Sequence, residues 1–248
     1  MKILVCVNHV PDTTTKVNVA SDNISLDVNG VNFMLNPYDD FAIEEALKTK
    51  EKFGGEVVVV SLGGDSHKET LRKSLAMGCD RAVLLKDSSS RDSFSIAFAI
   101  SEFAKSYSPE IIFIGKQSID YDNSQMCGLI ATFLGWQSVS VVVKFAIEGN
   151  SIIAEREIEG GHEIVSAKLP AVIAAQKGLN EPRYPSLKGI MESKRKPIEE
   201  INPEQCANKI NVLRMRKPAA KQKGKIVGTD ISAVPELIKL LHEEAKVI

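Results

Sequence analysis

Closely spaced cysteines are absent from this sequence. Its four cysteines and four histidines are scattered over 248 residues, with no C-x-x-C pair and no two histidines at i, i+4. Metal sites are built from such clusters, so we expect no metal ligands and a reduced, cytoplasmic protein. Cys6 lies in an apolar run and is expected to be a small core residue.

An excess of charge of one sign is also missing. The 31 basic and 32 acidic residues give a net charge of −1, which disfavours nucleic acid as a partner because phosphate neutralisation needs a basic face. Long apolar runs are missing as well. Residues 3–7 are too few to span a bilayer, and Asn8 and His9 break the run without a cleavage site after it. We therefore expect no signal or transit peptide and no membrane-embedded segment.

The motifs of common enzyme classes are the third absence. The sequence has no G-x-x-x-x-G-K-[ST], no G-x-S-x-G and no G-x-G-x-x-G after its first strand, so NTPase, hydrolase and dinucleotide dehydrogenase interpretations lack their motifs. Asp120 and Asp122 resemble a carboxylate pair, but no histidine, serine nucleophile or metal ligand accompanies them. Capping or ribose contacts are the favoured uses, and we expect no catalysis by this chain alone.

The sequence does contain a regular alternation of strand and helix patterns. Apolar β-rich runs lie at residues 3–7, 57–62, 82–85 and 111–115, with helical apolar stripes between them. Continuous apolar strands are buried on both faces. The pattern predicts an α/β fold, with a mostly parallel, doubly wound sheet and helices on both faces, up to about residue 135. Residues 16–35 interrupt it as a hairpin excursion.

The pattern changes after Trp136, which we expect to be packed, like His9. Residues 137–175 hold β-rich arms around Gly-containing turns, which predict antiparallel strands added to the same sheet. A polar, basic and weakly structured stretch follows, and residues 230–248 have the pattern of an amphipathic helix. We expect one α/β domain over residues 1–200 and a C-terminal arm with a terminal helix over residues 201–248.

Two strand-to-helix loops are candidates for binding. In residues 61–78 a Gly-Gly turn precedes a helix that Ser66 and Glu69 would open as a capping box, and a structural role is favoured for this loop taken alone. In the second loop Gly115 permits close backbone approach, and residues 122–125 are placed to cap the next helix. Two such loops at one edge of an open α/β sheet form a crevice, the usual site of a nucleotide. Carboxylates there indicate a small nucleotide.

Several stretches together resemble the β subunit of electron transfer flavoprotein. In chain order they are LNPYDDFAIEEALKTKE, ETLRKSLAMGCDRAVLL, GKQSIDYDNSQ, LGW, EREIEGG, LPAVIAAQKGLNEPRYPSLKGIM and SKRKPIE. The resemblance covers nearly the whole chain to about residue 200, and LNEPRYPSL is its most specific part. It implies an adenine-nucleotide α-hydrolase-like fold, an α-subunit partner that holds the redox-active FAD, and AMP bound in this chain.

The resemblance also implies which residues bind AMP. They are Cys6 in the first strand, Asn36, Pro37, Tyr38 and Asp39 in the NPYD turn, Leu62 at a strand end, and Gly115, Lys116, Gln117, Ser118, Ile119, Asp120, Tyr121, Asp122, Asn123, Ser124, Gln125 and Met126 in the second loop. Relatives commonly have Asn and then Gln-Thr where this chain has Ser124, Gln125 and Met126, so backbone N–H groups are expected to bind the phosphate. Many relatives place an aromatic residue near the flavin where this chain has Thr13, and Tyr38 is expected to supply an aromatic contact.

Residues 179–196 resemble the family's recognition loop, which combines chain breakers with apolar side chains. The resemblance implies that Leu187 inserts into a pocket of a partner dehydrogenase, with Tyr184, Ile190 and Met191 beside it. The alternative is a short core-packed helix with Leu187, Ile190 and Met191 on one face, and the two combine if Ile190 and Met191 pack beneath an exposed Leu187. Glu157 matches an acidic family residue that would face an Arg of the α subunit, or it is an ordinary exposed strand charge.

The favoured function is therefore that of a β subunit in a heterodimeric electron carrier. It would accept electrons from acyl-CoA or related dehydrogenases and pass them toward a quinone oxidoreductase, as in fatty acid β-oxidation. The non-bifurcating type, with AMP, is favoured. Two alternatives stay open: a bifurcating subunit that binds a second FAD and oxidises NADH, and a stand-alone nucleotide-sensing module.

Overall fold

A nine-stranded sheet is the central element of the chain. The computed structural model describes residues 1–220 and 223–248, so that residues 221 and 222 of the expected arm lie outside the described part. The strands are β1 (Lys2–Cys6), β2 (His9–Pro11), β3 (Asn18–Val19), β4 (Leu26–Asp27), β5 (Phe33–Leu35), β6 (Glu56–Gly63), β7 (Arg81–Lys86), β8 (Ile111–Gly115), β9 (Gln137–Glu148), β10 (Ser151–Ile158), β11 (Gly161–Lys168), β12 (Ala171–Ala175) and β13 (Ile198–Ile201). The α-helices are α1 (Pro37–Phe53), α2 (His67–Met77), α3 (Ser93–Tyr107), α4 (Met126–Leu134), α5 (Leu187–Arg195) and α6 (Val234–Glu243).

The strand order in the sheet is β11-β10-β9-β12-β8-β1-β6-β7-β13. In the part of the sheet that runs β9-β12-β8-β1-β6-β7-β13, all neighbouring strands are parallel. In contrast, β10 is antiparallel to both β9 and β11. The expected mostly parallel sheet with antiparallel additions is confirmed. The interpretation of β12 as part of those additions is wrong, because β12 lies between β9 and β8 and is parallel to both. All five of its residues are buried, as an inner strand requires.

Side chains of each inner strand alternate between two hydrophobic layers. Ile3 and Val5 of β1 pack in one layer with α1 and α2, and Leu4 and Cys6 pack in the other with α3 and α4. Phe113 of β8 is fully buried in the first layer. The sheet is therefore covered on both faces, and the doubly wound arrangement is confirmed.

The hairpin excursion leaves the domain after β2 and returns through β5. The β3 and β4 strands form a short antiparallel pair inside it, while β2 and β5 pair with each other at its base. The turn between β3 and β4 is closed by the backbone N–H of Ala20, which donates to Ser25 O at 2.9 Å. This confirms the hairpin expected over residues 16–35.

After β13 the described residues 202–220 and 223–230 are irregular, and a 3-10 turn at Ile231–Ala233 then leads into α6. Asp92 attaches the first part of this C-terminal stretch to the domain, because its carboxylate accepts hydrogen bonds from the N–H groups of Lys209 at 2.6 Å and Ile210 at 2.9 Å. Farther along, Met215 N donates to Asn23 O in the hairpin excursion at 2.6 Å. The expected amphipathic helix is confirmed as α6, in which Val234, Leu237 and Ile238 are exposed and Leu240 and Leu241 are half-buried. Within the described residues, no helix is both long and apolar enough to cross a membrane.

Candidate functional site

The strands β8, β1 and β6 are neighbours in the sheet and end at one common edge. The chain leaves β1 at residue 7, β6 at residue 64 and β8 at residue 116. The start of α1 lies at the same edge, since Asn36 N donates to Asn8 O at 3.1 Å. The two strand-to-helix loops that were predicted to form a crevice therefore leave the sheet at one edge. The NPYD turn, which the resemblance implies is part of the AMP site, lies at this edge too.

Asp39 in the first turn of α1 joins the ends of two strands. Its carboxylate accepts from Asn8 N at 2.7 Å, after β1, and from Gly115 N at 3.1 Å, at the end of β8. The side-chain amide of Asn36 donates to it at 2.9 Å. Asp39 is only 3% exposed, and burial raises its pKa to about 7 although the donated hydrogen bonds act in the opposite direction. Asp39 therefore holds the ends of β1 and β8 together, and N–H groups of the protein itself donate to both of its carboxylate oxygens.

Asn36 extends the same network into the second loop. Its Nδ2 donates to Gln117 O at 2.9 Å, and its Oδ1 accepts from Ile119 N at 3.3 Å. Asn36 is 1% exposed. Two predicted site residues, Asn36 and Asp39, thus hold the backbone of residues 115–119 in place through hydrogen bonds.

Gly115 is required where β8 approaches the start of α1. A Cβ at this position would collide with the Oδ1 of Asp39 and lie 2.7 Å from the Cβ of Tyr38. The close backbone approach expected from the sequence is present, and the approaching group is the protein's own helix. Lys116 Nζ lies 5.2 Å from the centre of the Tyr38 ring, within cation–π range.

The loop between β8 and α4 is held by its own side chains. Gln117 donates to Asp122 Oδ1 and accepts from Ser124 Oγ at 3.1 Å, while Asn123 Nδ2 donates to Ser93 Oγ on α3 at 2.8 Å. Asp120 and Tyr121 are exposed, and Tyr121 is 72% accessible. The loop is an ordered surface at the sheet edge.

The predicted caps of two helices are wrong. No side chain caps α4, because Asp122 has a left-handed backbone with φ of 50° and its carboxylate is engaged by Gln117. Ser66 does not cap α2 either, since its backbone is helical and the N–H groups of His67 and Lys68 donate to Gly64 O and Asp65 O at 3.1 Å each. The first-turn N–H groups of α4, which include that of Met126, are consequently not satisfied by a side chain.

The remaining predicted residues of this edge are Cys6 and Leu62. The Cys6 thiol is buried in the core, and burial raises its pKa above its usual range. The prediction that it is a core residue is confirmed. Leu62 is half-buried near the end of β6 and packs against the same layer.

A pair of histidines lies next to this edge, and sequence reasoning missed it. His9 stacks on Phe33 with ring centres 4.9 Å apart and lies 5.2 Å from His67. His9 Nδ1 bonds Thr70 Oγ1 at 2.8 Å, and His67 Nδ1 bonds Ser61 Oγ at 2.8 Å. Burial, with a further contribution from His9, lowers the pKa of His67 to about 4. The two residues are 58 positions apart in sequence, and no local pattern indicates the contact.

Residues 179–196, called the docking segment after the role that the sequence resemblance implies, end in a helix whose apolar side chains face outward. Ser186 caps α5 by accepting from Gly189 N at 3.0 Å. Leu187 is 84% exposed, Tyr184 95%, Met191 63% and Ile190 40%. The helix of the alternative interpretation is present, but its apolar residues do not pack in the core of this chain. Ile190 and Met191 are not packed beneath Leu187 either.

Glu157 lies near the end of β10 and is exposed. Gln176 Nε2 donates to its Oε2 at 2.8 Å, and its partner across the strand pair is His162 of β11. In the isolated chain it has the environment of an exposed strand charge next to the end of β12.

Comparison with known proteins identifies relatives over the whole chain. The profile of the electron transfer flavoprotein domain matches residues 24–205. The chain is 37% identical to the electron transfer flavoprotein subunit beta of Bacillus subtilis and 38% identical to that of Bradyrhizobium diazoefficiens, with all of both chains covered. The similarity to the human subunit beta is 34% over 96% of each chain.

Proposed function

The chain belongs to the electron transfer flavoprotein family, and from this premise we propose that it is the β subunit of a heterodimer whose α subunit holds FAD. The heterodimer takes electrons from acyl-CoA or related dehydrogenases and delivers them to a quinone oxidoreductase. In this proposal the present chain binds AMP, presents the docking segment and performs no catalysis of its own.

One observation carries the AMP proposal: the loop of residues 116–125 lies at the shared edge of β1 and β8 and leads into a helix without a side-chain cap. Free N–H groups at a helix N-terminus bind a phosphate well, and the helix dipole adds to the attraction. Ser124 and Gln125 are exposed there and would bind the phosphate together with the N–H of Met126.

The charges at this edge favour a monophosphate over a longer phosphate chain. Asp120 and Asp122 are exposed in the loop, and their carboxylates would repel additional phosphate groups. Asp39 is buried beneath the loop and holds its backbone in place. The donor set therefore fits AMP as a bound structural nucleotide, with Tyr38 and Leu62 placed for apolar contact.

The docking segment supports the proposed interaction with dehydrogenases. Tyr184, Leu187 and Met191 place apolar surface on the outside of the chain, where solvation is unfavourable. If a pocket of the partner buries Leu187, removal of this apolar side chain from water would contribute much of the binding free energy although the contact area is small.

The C-terminal arm is proposed to bind the α subunit. Its exposed apolar residues include Leu213 at 91%, Ile226 at 83% and Ile231 at 88%, and they continue onto α6 with Leu237 and Ile238. A chain that exposes so many large apolar groups on an irregular segment gains stability by packing them on a partner. Glu157 would lie at the same interface and face an Arg of the α subunit.

Co-expression with a candidate α subunit, followed by chromatography of the released nucleotides, tests this proposal. One FAD and one AMP per heterodimer are expected. Two FAD per heterodimer would replace the proposal with the bifurcating type, and failure to form any α-subunit complex would favour the nucleotide-sensing module.

A pair of matched variants tests the position of AMP. Ser124→Asp places a carboxylate at the exposed start of α4 and should abolish AMP retention, whereas Ser106→Asp, on an exposed turn of α3, should retain AMP fully. Because a ligand at a hundredfold excess over Kd stabilises the folded state by about 2.7 kcal/mol, removal of AMP should also lower the melting temperature. Equal melting with and without AMP, or retention of AMP by Ser124→Asp, would contradict the assignment.

A further inference from the structure

Arg183, in the docking segment, makes an unusually complete set of contacts with α1. Its Nε donates to Glu44 Oε2 at 2.8 Å, its Nη2 donates to Glu44 Oε1 at 2.9 Å, and its backbone N–H donates to Glu44 Oε2 at 3.0 Å. A fourth bond runs from Nη1 to Glu51 Oε1 at 2.6 Å. The two-point contact between a guanidinium and a carboxylate fixes both distance and orientation.

Glu44 is buried, and this makes the contact with Arg183 structurally important. The Glu44 side chain is 4% exposed, and the Arg183 side chain is 36% exposed. A buried carboxylate needs an ion pair or hydrogen bonds to offset its loss of water. The Glu44–Arg183 pair therefore attaches the docking segment to the interior of the domain.

The rest of the docking segment is fixed on either side of Arg183. Before it, Asn180 Nδ2 donates to Phe41 O and to Glu45 Oε2 of α1, both at 3.0 Å. After it, α5 lies on α2, where Arg72 donates to the carbonyl oxygens of Ser193 and Lys196.

Gly189 marks how closely α5 approaches α2, because a Cβ at this position would collide with the carbonyl oxygen of Ala76. The part of the segment between Asn180 and α5 contains Tyr184, whose side chain is 95% exposed. In this part Arg183 supplies the side-chain attachment to α1.

We propose that Arg183 is a positioning residue for docking: through Glu44 and Glu51 it holds the segment in its docking conformation before the partner arrives. This inference rests on the proposed function, in which Leu187 enters a pocket of the dehydrogenase. Leu187 follows Arg183 by four residues, so loss of the attachment would free the chain that leads into α5. A free segment has to be ordered on binding, and the ordering reduces affinity.

The test uses the α/β heterodimer and an acyl-CoA dehydrogenase as electron donor. Arg183→Ala is expected to raise the apparent KM for the dehydrogenase by roughly tenfold, with kcat changed less than twofold, because the proposed function places the flavin in the α subunit and Arg183 contacts α1 of this chain. Arg183→Lys should recover only part of the affinity, since an ammonium group cannot make the two-point contact with Glu44.

A double-mutant cycle with Leu187→Ala separates positioning from an independent contact. If Arg183 acts by placing Leu187, the double variant should bind the dehydrogenase almost as well as Leu187→Ala does, with an affinity within about twofold of that single variant. Full additivity of the two effects would overturn the positioning role. If Leu187→Ala alone leaves KM unchanged, the proposed docking function itself fails. If Leu187→Ala weakens docking and Arg183→Ala does not, only the present inference fails.

Two further variants control for stability. Arg183→Ala leaves the buried Glu44 with the backbone N–H of residue 183 but without the guanidinium charge. The double substitution Arg183→Gln with Glu44→Gln removes both charges at once and should show the same rise in KM with a smaller loss of stability. Arg81 is the matched control, because it also bridges two glutamates, Glu199 at 2.9 Å and Glu56 at 3.6 Å. Arg81→Ala should leave KM unchanged, and a tenfold rise in KM for this control would contradict a specific role of Arg183.

Hydrogen exchange of the free heterodimer gives a direct structural readout. The amides of residues 183–191, apart from Pro185, which has none, should exchange faster in Arg183→Ala than in the unaltered protein, with β12 and β13 unchanged. Identical exchange in this range would show that the segment does not depend on Arg183, and the inference would be wrong.

Discussion

The prediction with the clearest physical contrast concerns Leu187. Its side chain is 84% exposed, so Leu187→Ala removes almost no packing within this chain and should leave the melting temperature of the heterodimer unchanged. In a docked complex the same side chain would be buried. Full burial of a leucine contributes about 1.5–3 kcal/mol, so its loss should weaken the complex by roughly tenfold to hundredfold.

A buried leucine provides the opposite control. Leu84 of β7 is fully buried, and Leu84→Ala should reduce the free energy of unfolding by about 2–5 kcal/mol through the cavity that it creates. It should leave the affinity for the dehydrogenase unchanged. Each variant is measured twice, by thermal melting and by steady-state kinetics with varied dehydrogenase. A depressed melting temperature for Leu187→Ala with normal KM would refute the exposed position of Leu187 and its docking role together.

Further predictions concern the sheet edge and the subunit interface. Gly115→Ala should lower the melting temperature and AMP retention, because its Cβ collides with Asp39; an unchanged melt would contradict the tight approach. Since burial raises the pKa of Asp39 from 3.8 to about 7, the folded state holds a proton that the unfolded state loses, and Asp39 should reduce stability as pH rises from 4 to 7. For His67, whose pKa is lowered from 6.5 to about 4, the unfolded state binds the extra proton, and stability should fall as pH decreases from 6.5 to 4. Urea midpoints of Asp39→Asn and His67→Gln across this range check both signs, and a variant that keeps the unaltered pH profile would refute its assignment. Glu157→Ala should alter the electron-transfer rate or the lifetime of the complex with the dehydrogenase, while the heterodimer retains its FAD. Unchanged kinetics with several dehydrogenases would show that Glu157 is an ordinary exposed charge on the strand.

The sequence predicts the layers of this fold well because burial determines them. The runs at 3–7, 57–62 and 111–115 are apolar except for Ser61, and they occupy three neighbouring inner strands. The β12 sequence is an uninterrupted apolar run, but the turns before it suggested an antiparallel arm. Its place between β9 and β8 depends on pairing with strands distant in sequence, which the local pattern does not show. Strand β13 was not predicted, since its sequence IEEI has two glutamates and pairs with the exposed edge of β7.

The candidate site was predictable in position but not in detail. The edge argument selected the loop that begins at Gly115, the family resemblance added Asn36 and Asp39, and the structure brings these three residues together. Helix capping was predicted wrongly at Ser66 and Asp122, because capping preferences describe local sequence and both residues take backbone conformations set by the surrounding turn. The contact of Arg183 with Glu44 joins residues 139 positions apart, and only the fold brings them together.

The docking segment connects two strands that lie at different places in the sheet. β12 lies next to the central strand β8, whereas β13 forms the far edge beside β7, so the intervening chain must cross α1 and α2 over a fixed span. An insertion has to bulge outward near Tyr184, and a deletion has to break the attachment to α1 or the register of β13. Changes of chain length are therefore poorly tolerated here, and adaptation to a new electron donor would proceed by exchange of the outward side chains on a segment of constant length.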